Sequence, residues 1–181
     1  MQLPIITVPH PTLRKKAQLV ESITPEIKQF LQDLEETLIH AKDPEGVAIA
    51  APQVNQSLRI FITRLKHTTN FYINPEIIDQ SDTTSLGKDP NNPDLEGCLS
   101  IPHLYGPILR PTQIKIKAIN QKGQEFTQVL NHFEARVVLH EYDHLEGILF
   151  TDYTLSQNQP LYLEQNSNLT PIPNPQEIIK W

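Results

Sequence analysis

A single cysteine, Cys98, rules out an internal disulfide and leaves that residue to be buried filler, a reactive thiol or a metal ligand. No uninterrupted apolar run approaches the thickness of a bilayer, which excludes a helix built to cross one. The longest basic cluster is Arg14-Lys15-Lys16 and the net charge is -6, so sequence-specific nucleic acid is not expected as a partner. The start, Met1-Gln2-Leu3-Pro4, lacks the basic stretch, apolar core and small-residue cleavage site of a secretory signal, and a cytoplasmic location is expected. No internal repeat at solenoid spacing is present. What remains, 181 residues of which 38% are hydrophobic and 20% charged, suits a single domain over residues 1–181, expected to be monomeric.

The first strong element is a helix from about Thr24 to Ala41, with Thr24 as cap, Pro25 at the first helical position, and Ile27, Phe30, Leu31, Leu34 and Leu38 on one stripe. Extended runs follow at Leu58 to Thr63 and Phe71 to Ile73. From Gln113 to Ile119, the residues Ile114, Ile116 and Ala118 alternate with Lys115 and Lys117, the pattern of a half-buried strand. Asn120-Gln121-Lys122-Gly123 is turn chemistry before a second strand at Phe126 to Leu130, so a hairpin is expected. Between Ser81 and Leu95 no periodicity appears, and this stretch is expected to be a loop. A second helix is expected from Asn131 to Glu146, with Asn131 and Glu134 as a capping box and Gly147 at its end. Beyond about residue 155 the chain turns Gln/Asn-rich with Pro160, Pro171, Pro173 and Pro175, and it is expected to lie extended over the surface.

Within the second helix, His140-Glu141-Tyr142-Asp143-His144 is the H-E-x-x-H pattern. Residues four apart lie one turn above each other, so two imidazoles can grip one ion while Glu141 starts close to a water that the ion would hold. Phe133, Val137, His140 and His144 recur at intervals of four, three and four and are expected to share the inward face. The third ligand decides the class. The extended protease pattern needs a third histidine where Phe150 stands, and a downstream glutamate must come from Glu164 or Glu177 in a stretch of poor helical character. Cys98, in Glu96-Gly97-Cys98-Leu99-Ser100 just before Ile101-Pro102, is the better third donor.

Three motifs then coincide in order. Gly46-Val47-Ala48-Ile49-Ala50-Ala51-Pro52-Gln53 follows G-x-G-x-A-A-x-Q with one departure, E-G-C-L-S stands at Glu96 to Ser100, and H-E-x-D-H-x-x-G stands at His140 to Gly147. The chain resembles the peptide deformylase family from Pro11-Thr12-Leu13-Arg14 through Phe150. The resemblance implies an α+β fold with short antiparallel sheets packed around a central metal-binding helix, and removal of the formyl group from N-formyl-methionyl nascent chains, with transient ribosome contact. It further implies Cys98, His140 and His144 as ligands of one divalent ion, natively ferrous iron, replaceable by zinc, nickel or cobalt. Glu141 would be the proton carrier, and Gln53 with the backbone N–H of Leu99 would bind the oxyanion. Val47, Phe133 and Val137 are candidates for the methionine pocket, and Gly46, Val47, Ala48 and Tyr105 for the substrate edge.

Departures from the family pattern carry expectations of their own. Ala48 replaces the second glycine, so a methyl group presses on the substrate edge or the backbone takes an angle alanine tolerates poorly. Tyr105 stands where many members carry an arginine that orients the peptide, and the stretch from Ser81 to Leu95 is longer than usual. The tail lacks a basic helix for docking on a ribosome. Arg110 and Asp143 are placed to pair behind the metal, or to lie as separate surface charges. The competing readings are a metalloprotease, a formyl-peptide-binding relative of weak activity, and a structural metal; the last would ordinarily have four protein ligands, where three are evident.

Overall fold

The computed structural model describes residues 1–42, 45–89 and 92–179. The first helix, α1 (Pro25–His40), begins as expected: the Ile27 N–H donates to Thr24 Oγ1 at 3.3 Å. Its stripe of Leu31, Leu34 and Leu38 is buried against the first two strands, β1 (Ala48–Ala50) and β2 (Ile60–Leu65). Each such fully buried aliphatic side chain contributes about 1.5–3 kcal/mol, which seats α1 on the outside of the sheet.

The remaining strands are β3 (Thr68–Gln80), β4 (Thr84–Ser85), β5 (Leu95–Cys98), β6 (Ile101–Pro107), β7 (Arg110–Pro111), β8 (Gln113–Ile119) and β9 (Glu125–Asn131). Strands β1, β2, β3, β8 and β9 form one antiparallel sheet in that order, with β4 and β7 paired separately. The β8–β9 hairpin expected from its alternation is present, with Ile114 opposite Leu130 and Ile119 opposite Glu125. The run expected at Phe71 to Ile73 is the buried middle of a much longer strand. Its polar ends are extended by pairing with β2 and β8, which a hydrophobic pattern does not report. The segment from Ser81 to Leu95, expected as a loop, contains β4; its residues 90 and 91 lie outside the described residues.

Helix α2 (His132–Glu146) runs between the sheets. Ala135, Val138, Leu139 and Leu145 pack on Phe61, Tyr72, Ile114 and Ile116 of the larger sheet, where Phe61 and Tyr72 stack at 4.6 Å between centroids. The expected capping box at Asn131 is not made: that amide oxygen accepts from Gln113 Nε2 instead, across the β8–β9 pair. At the other end Gly147 takes φ 74°, and a Cβ there would stand 2.7 Å from the backbone of Arg14. Only glycine ends the helix so close to the amino-terminal segment.

The tail departs most from expectation. Helix α3 (Phe150–Ser156) is followed by β10 (Tyr162–Gln165) and β11 (Asn168–Pro171), a hairpin that extends the second sheet to the order β11-β10-β6-β5, and by the short α4 (Pro175–Ile178). Leu161 is fully buried among Leu104, Ile108, Leu149 and Phe150, so the segment is part of a core rather than laid over it; residues 180 and 181 lie outside the described residues. Proline and asparagine content signals the turns but not the two short strands between them. No helix among the described residues is long and apolar enough to cross a membrane.

Candidate metal centre

The two halves of the constellation come from different elements. Helix α2 places His140 and His144 one turn apart, their ring centroids 5.1 Å from each other. Strand β5 ends at Cys98, where a register shift next to Gly97 turns the chain sharply into β6. The thiol then lies 3.2 Å from His144 Nε2, and one donor atom from each of Cys98, His140 and His144 lies within 4.8 Å of the others. Donors on a tetrahedral ion with metal–sulfur and metal–nitrogen distances of about 2.3 and 2.0 Å sit roughly 3.5 Å apart, so the observed cage matches the size of one ion.

Behind the cage stands Glu96, a residue that the sequence presents only as part of a motif. Its Oε1 accepts from Arg110 Nε at 2.9 Å and Arg136 Nη1 at 3.0 Å, and its Oε2 accepts from Arg110 Nη2 at 2.8 Å and His140 Nδ1 at 3.0 Å. The last bond holds the Nδ1 proton of His140 and leaves its Nε2 to face the thiol. Arg110 also donates to Asp143 Oδ2 at 2.6 Å, so the Arg110–Asp143 pair is a buried one rather than two surface charges. Burial by itself would raise the Glu96 pKa, but Arg110 and His140 hold the carboxyl well below the usual carboxylate range.

The histidines are pushed in opposite directions. Burial alone would lower the pKa of His140, but the Cys98 sulfur, the Glu96 carboxylate and Glu141 raise it well above the ordinary histidine value. His144 is held well below that value, first by burial and then by the charges of His140 and Arg110. A cluster of anionic groups around His140, one neutral imidazole and a sulfur is a setting that calls for a cation.

Removing Glu96 would take a shared carboxylate away from two buried guanidinium groups. Glu96→Ala is therefore expected to destabilise the fold by about 3–5 kcal/mol, seen as a lower denaturant midpoint. It is also expected to weaken metal retention by about 10- to 100-fold, through loss of the His140 orienting bond.

Glu141 faces the same space. It is 4% exposed, its Oε2 has no hydrogen-bond partner among the described residues, and burial pushes its pKa up to about 7. Gln53 is fixed at both ends: Oε1 accepts from the Ala50 N–H at 2.8 Å, while Nε2 donates to Ser100 Oγ at 3.3 Å and lies 3.5 Å from Cys98 Sγ. Leu99 follows Cys98 in the turn, with Gly46 packed so closely that a Cβ there would meet Leu99 Cδ1 at 3.2 Å.

A cleft of about 230 Å³ opens onto these groups. The residues expected to touch substrate all line it: Gly46, Val47 and Ala48 along β1 and its approach, Tyr105 from β6, and Phe133 and Val137 from α2. Two expectations need correction. Phe133 does not point into a core with the histidines; it is 52% exposed at the mouth of the cleft, because α2 begins at the protein surface. Ala48 imposes no strained backbone angle, since it sits in β1, pairs with Thr63 and lies outside the positive-φ positions. Arg136 and Asp94, which no sequence motif singles out, also line the cleft. The one signal for Arg136 is its place one turn before His140 on the same helical face.

Two imidazoles, a thiol and a buried carboxyl whose Oε2 has no partner among the described residues, gathered at an open cleft, define a candidate metallohydrolase centre. Comparison with known proteins places it within a family. A family model described as Polypeptide deformylase matches residues 2–160. The peptide deformylase of Clostridium botulinum is 42% identical over 142 residues, covering 78% of this chain and 89% of that protein. The peptide deformylase of Acinetobacter baumannii is 37% identical over 154 residues, covering 83% of this chain and 82% of that one. Among solved structures, the peptide deformylase of Thermotoga maritima superimposes with a TM-score of 0.77 at 34% identity, covering 84% of this chain and 97% of that one. A peptide deformylase from Synechococcus elongatus in complex with actinonin gives 0.76 at 27% identity, covering 91% of this chain and 80% of that one. The chain belongs to the polypeptide deformylase family.

Proposed function

We propose that this chain is a metal-dependent hydrolase that removes the N-formyl group from the N-terminal methionine of newly made polypeptides, acting as a monomer in the cytoplasm. The observation that carries the proposal is the meeting of Cys98, His140 and His144 beside the unpartnered Oε2 of Glu141. A sulfur and two imidazoles suit a borderline ion, and ferrous iron is proposed as the native one, with zinc, nickel or cobalt as substitutes.

An ion held there supplies Lewis acidity, polarising the formyl carbonyl and lowering the pKa of the attacking water. Glu141 takes that water's proton at its free oxygen and returns it to the departing amine, so that formate and a free α-amino group are left. Its pKa near 7, raised by burial, matches a group that must both accept and release a proton near neutral pH. The Gln53 amide and the Leu99 backbone N–H donate to the oxygen that becomes negative in the tetrahedral state. Gln53 is already immobilised by Ala50 and Ser100, so no ordering is left for the moment of reaction. Val47, Val137 and Phe133 offer apolar surface to the methionine side chain. A metalloprotease of the extended motif is disfavoured by Phe150, which is buried and stacks on His140 where that class needs a ligand.

Protein purified without oxygen, with its metal quantified, is expected to release formate from formyl-Met-Ala and to leave unformylated Met-Ala intact. Equal cleavage of both inside the chain would favour a protease, and no turnover at full metal occupancy would favour a binding protein. Gln53→Ala is expected to lower kcat by about 10²- to 10³-fold with metal content unchanged, the cost of one oxyanion donor.

A further inference from the structure

The matched family region ends at residue 160, and the hairpin β10–β11 begins just after it. This hairpin adjoins β6, the strand that brings Tyr105 to the cleft. Strand β10 pairs with β6, setting Tyr162 opposite Tyr105 and Leu163 opposite Leu104. Glu164 Oε2 accepts a hydrogen bond from Tyr105 Oη at 3.2 Å, and His103 Nδ1 lies 3.7 Å from the same oxygen.

Tyr105 in turn bears on the strand that carries the thiol. It pairs with Gly97 across β5–β6, and its ring lies so close that a Cβ on Gly97 would meet Tyr105 Cε1 at 2.6 Å. Here only glycine leaves room for the ring. The ring therefore rests on the backbone one residue before Cys98 while also lining the same cleft as Val47. Beneath it, Leu161 and Ile172 pack into the same apolar cluster as Cys98, Leu104 and Ile108, so the hairpin is anchored from below as well.

We propose that the β10–β11 hairpin braces one edge of the substrate cleft from behind and that Glu164 is a positioning residue, holding Tyr105 over Gly97 so that its ring forms a rigid edge for the bound peptide. The inference rests on the deformylase reading. Substrate in the cleft that Tyr105 lines meets a side chain held by a residue outside the catalytic constellation. Glu164 is two-thirds covered and its bond is charge-assisted, so its effect belongs to binding rather than to proton transfer or metal retention.

The test is a mutant cycle on metal-loaded protein with formyl-Met-Ala-Ser. Glu164→Ala is expected to raise KM by about threefold to tenfold, the size of one partly exposed charge-assisted hydrogen bond, with kcat and metal content unchanged. Glu164→Gln, which still accepts from Tyr105, is expected to keep KM near the wild-type value. In a Tyr105→Phe background, Glu164→Ala is expected to add nothing further. An unchanged KM in Glu164→Ala, or an equal rise in the Tyr105→Phe background, overturns the proposal. Inactive wild-type protein at full metal occupancy would instead remove the deformylase reading. The clasp is then judged by amide hydrogen exchange at residues 95–98: faster exchange in Glu164→Ala upholds it, and unchanged exchange overturns it.

Discussion

Glu141→Ala is expected to lose deformylation almost entirely while the metal remains bound. The carboxyl is within the helix that carries both histidines, but its Oε2 engages no protein group among the described residues, so its removal leaves the cage intact. On the proposed mechanism, what disappears is the group that takes a proton from water and gives it to the leaving amine. General acid–base catalysis contributes about 10²- to 10⁴-fold, and the proposed mechanism assigns both halves of it to Glu141, so the fall in kcat should reach the upper part of that range. Metal analysis of the purified variant separates this outcome from loss of the ion. A variant that has lost its metal as well would show that Glu141 supports the cage rather than the reaction. Stability should be little changed or improved, because burial already disfavours the charged form of this carboxyl.

Cys98→Ala should have an effect of equal size by a different route. Among the described residues the sulfur is the one candidate metal donor that β5 brings to the cage, and without it two imidazoles on one helical face remain. Removing an outer hydrogen-bond partner of a ligand already weakens metal binding by about 10- to 100-fold, so loss of a direct ligand is expected to exceed that. Dialysed Cys98→Ala should contain little metal and show no turnover, and adding excess ferrous or zinc ion should not restore the wild-type rate. A fully loaded, active variant would show that the third ligand lies elsewhere. Alanine leaves only a small cavity among Leu104, Ile101 and Ile108, so the fold should survive and the loss can be read as chemistry.

The legibility of each part of the protein in its sequence follows from how local its cause is. Helix α1 is announced by Thr24, Pro25 and a leucine stripe, all within one short segment, and the β8–β9 hairpin by strict alternation around a turn. The histidine pair is legible for the same reason, since helical geometry alone sets residues four apart one above the other. The tail is illegible because its two strands are short and polar, and they are strands only through pairing with each other and with β6. Asn131 reads as a cap in the sequence, yet its amide has a better partner in Gln113, a residue of the neighbouring strand. Arg110 and Asp143 can be named from sequence, but their burial depends on Glu96 and Arg136 being brought to the same point from separate elements.

By itself, then, the order of residues determined the donor types, the helical spacing of His140 and His144, the presence of Glu141 between them and the family motifs that include Cys98, Gln53 and Leu99. Those are properties of residue identity and of a single repeating backbone, and need no long-range information. Only the tertiary structure decided that Cys98 Sγ comes within 3.2 Å of His144, that Glu96 holds His140 from behind, and that a hairpin after residue 160 pairs with the strand bearing Tyr105. Each of these depends on chain segments far apart in sequence meeting across a shared core, and the burial that brings them together is a property of the whole packed chain rather than of any stretch within it.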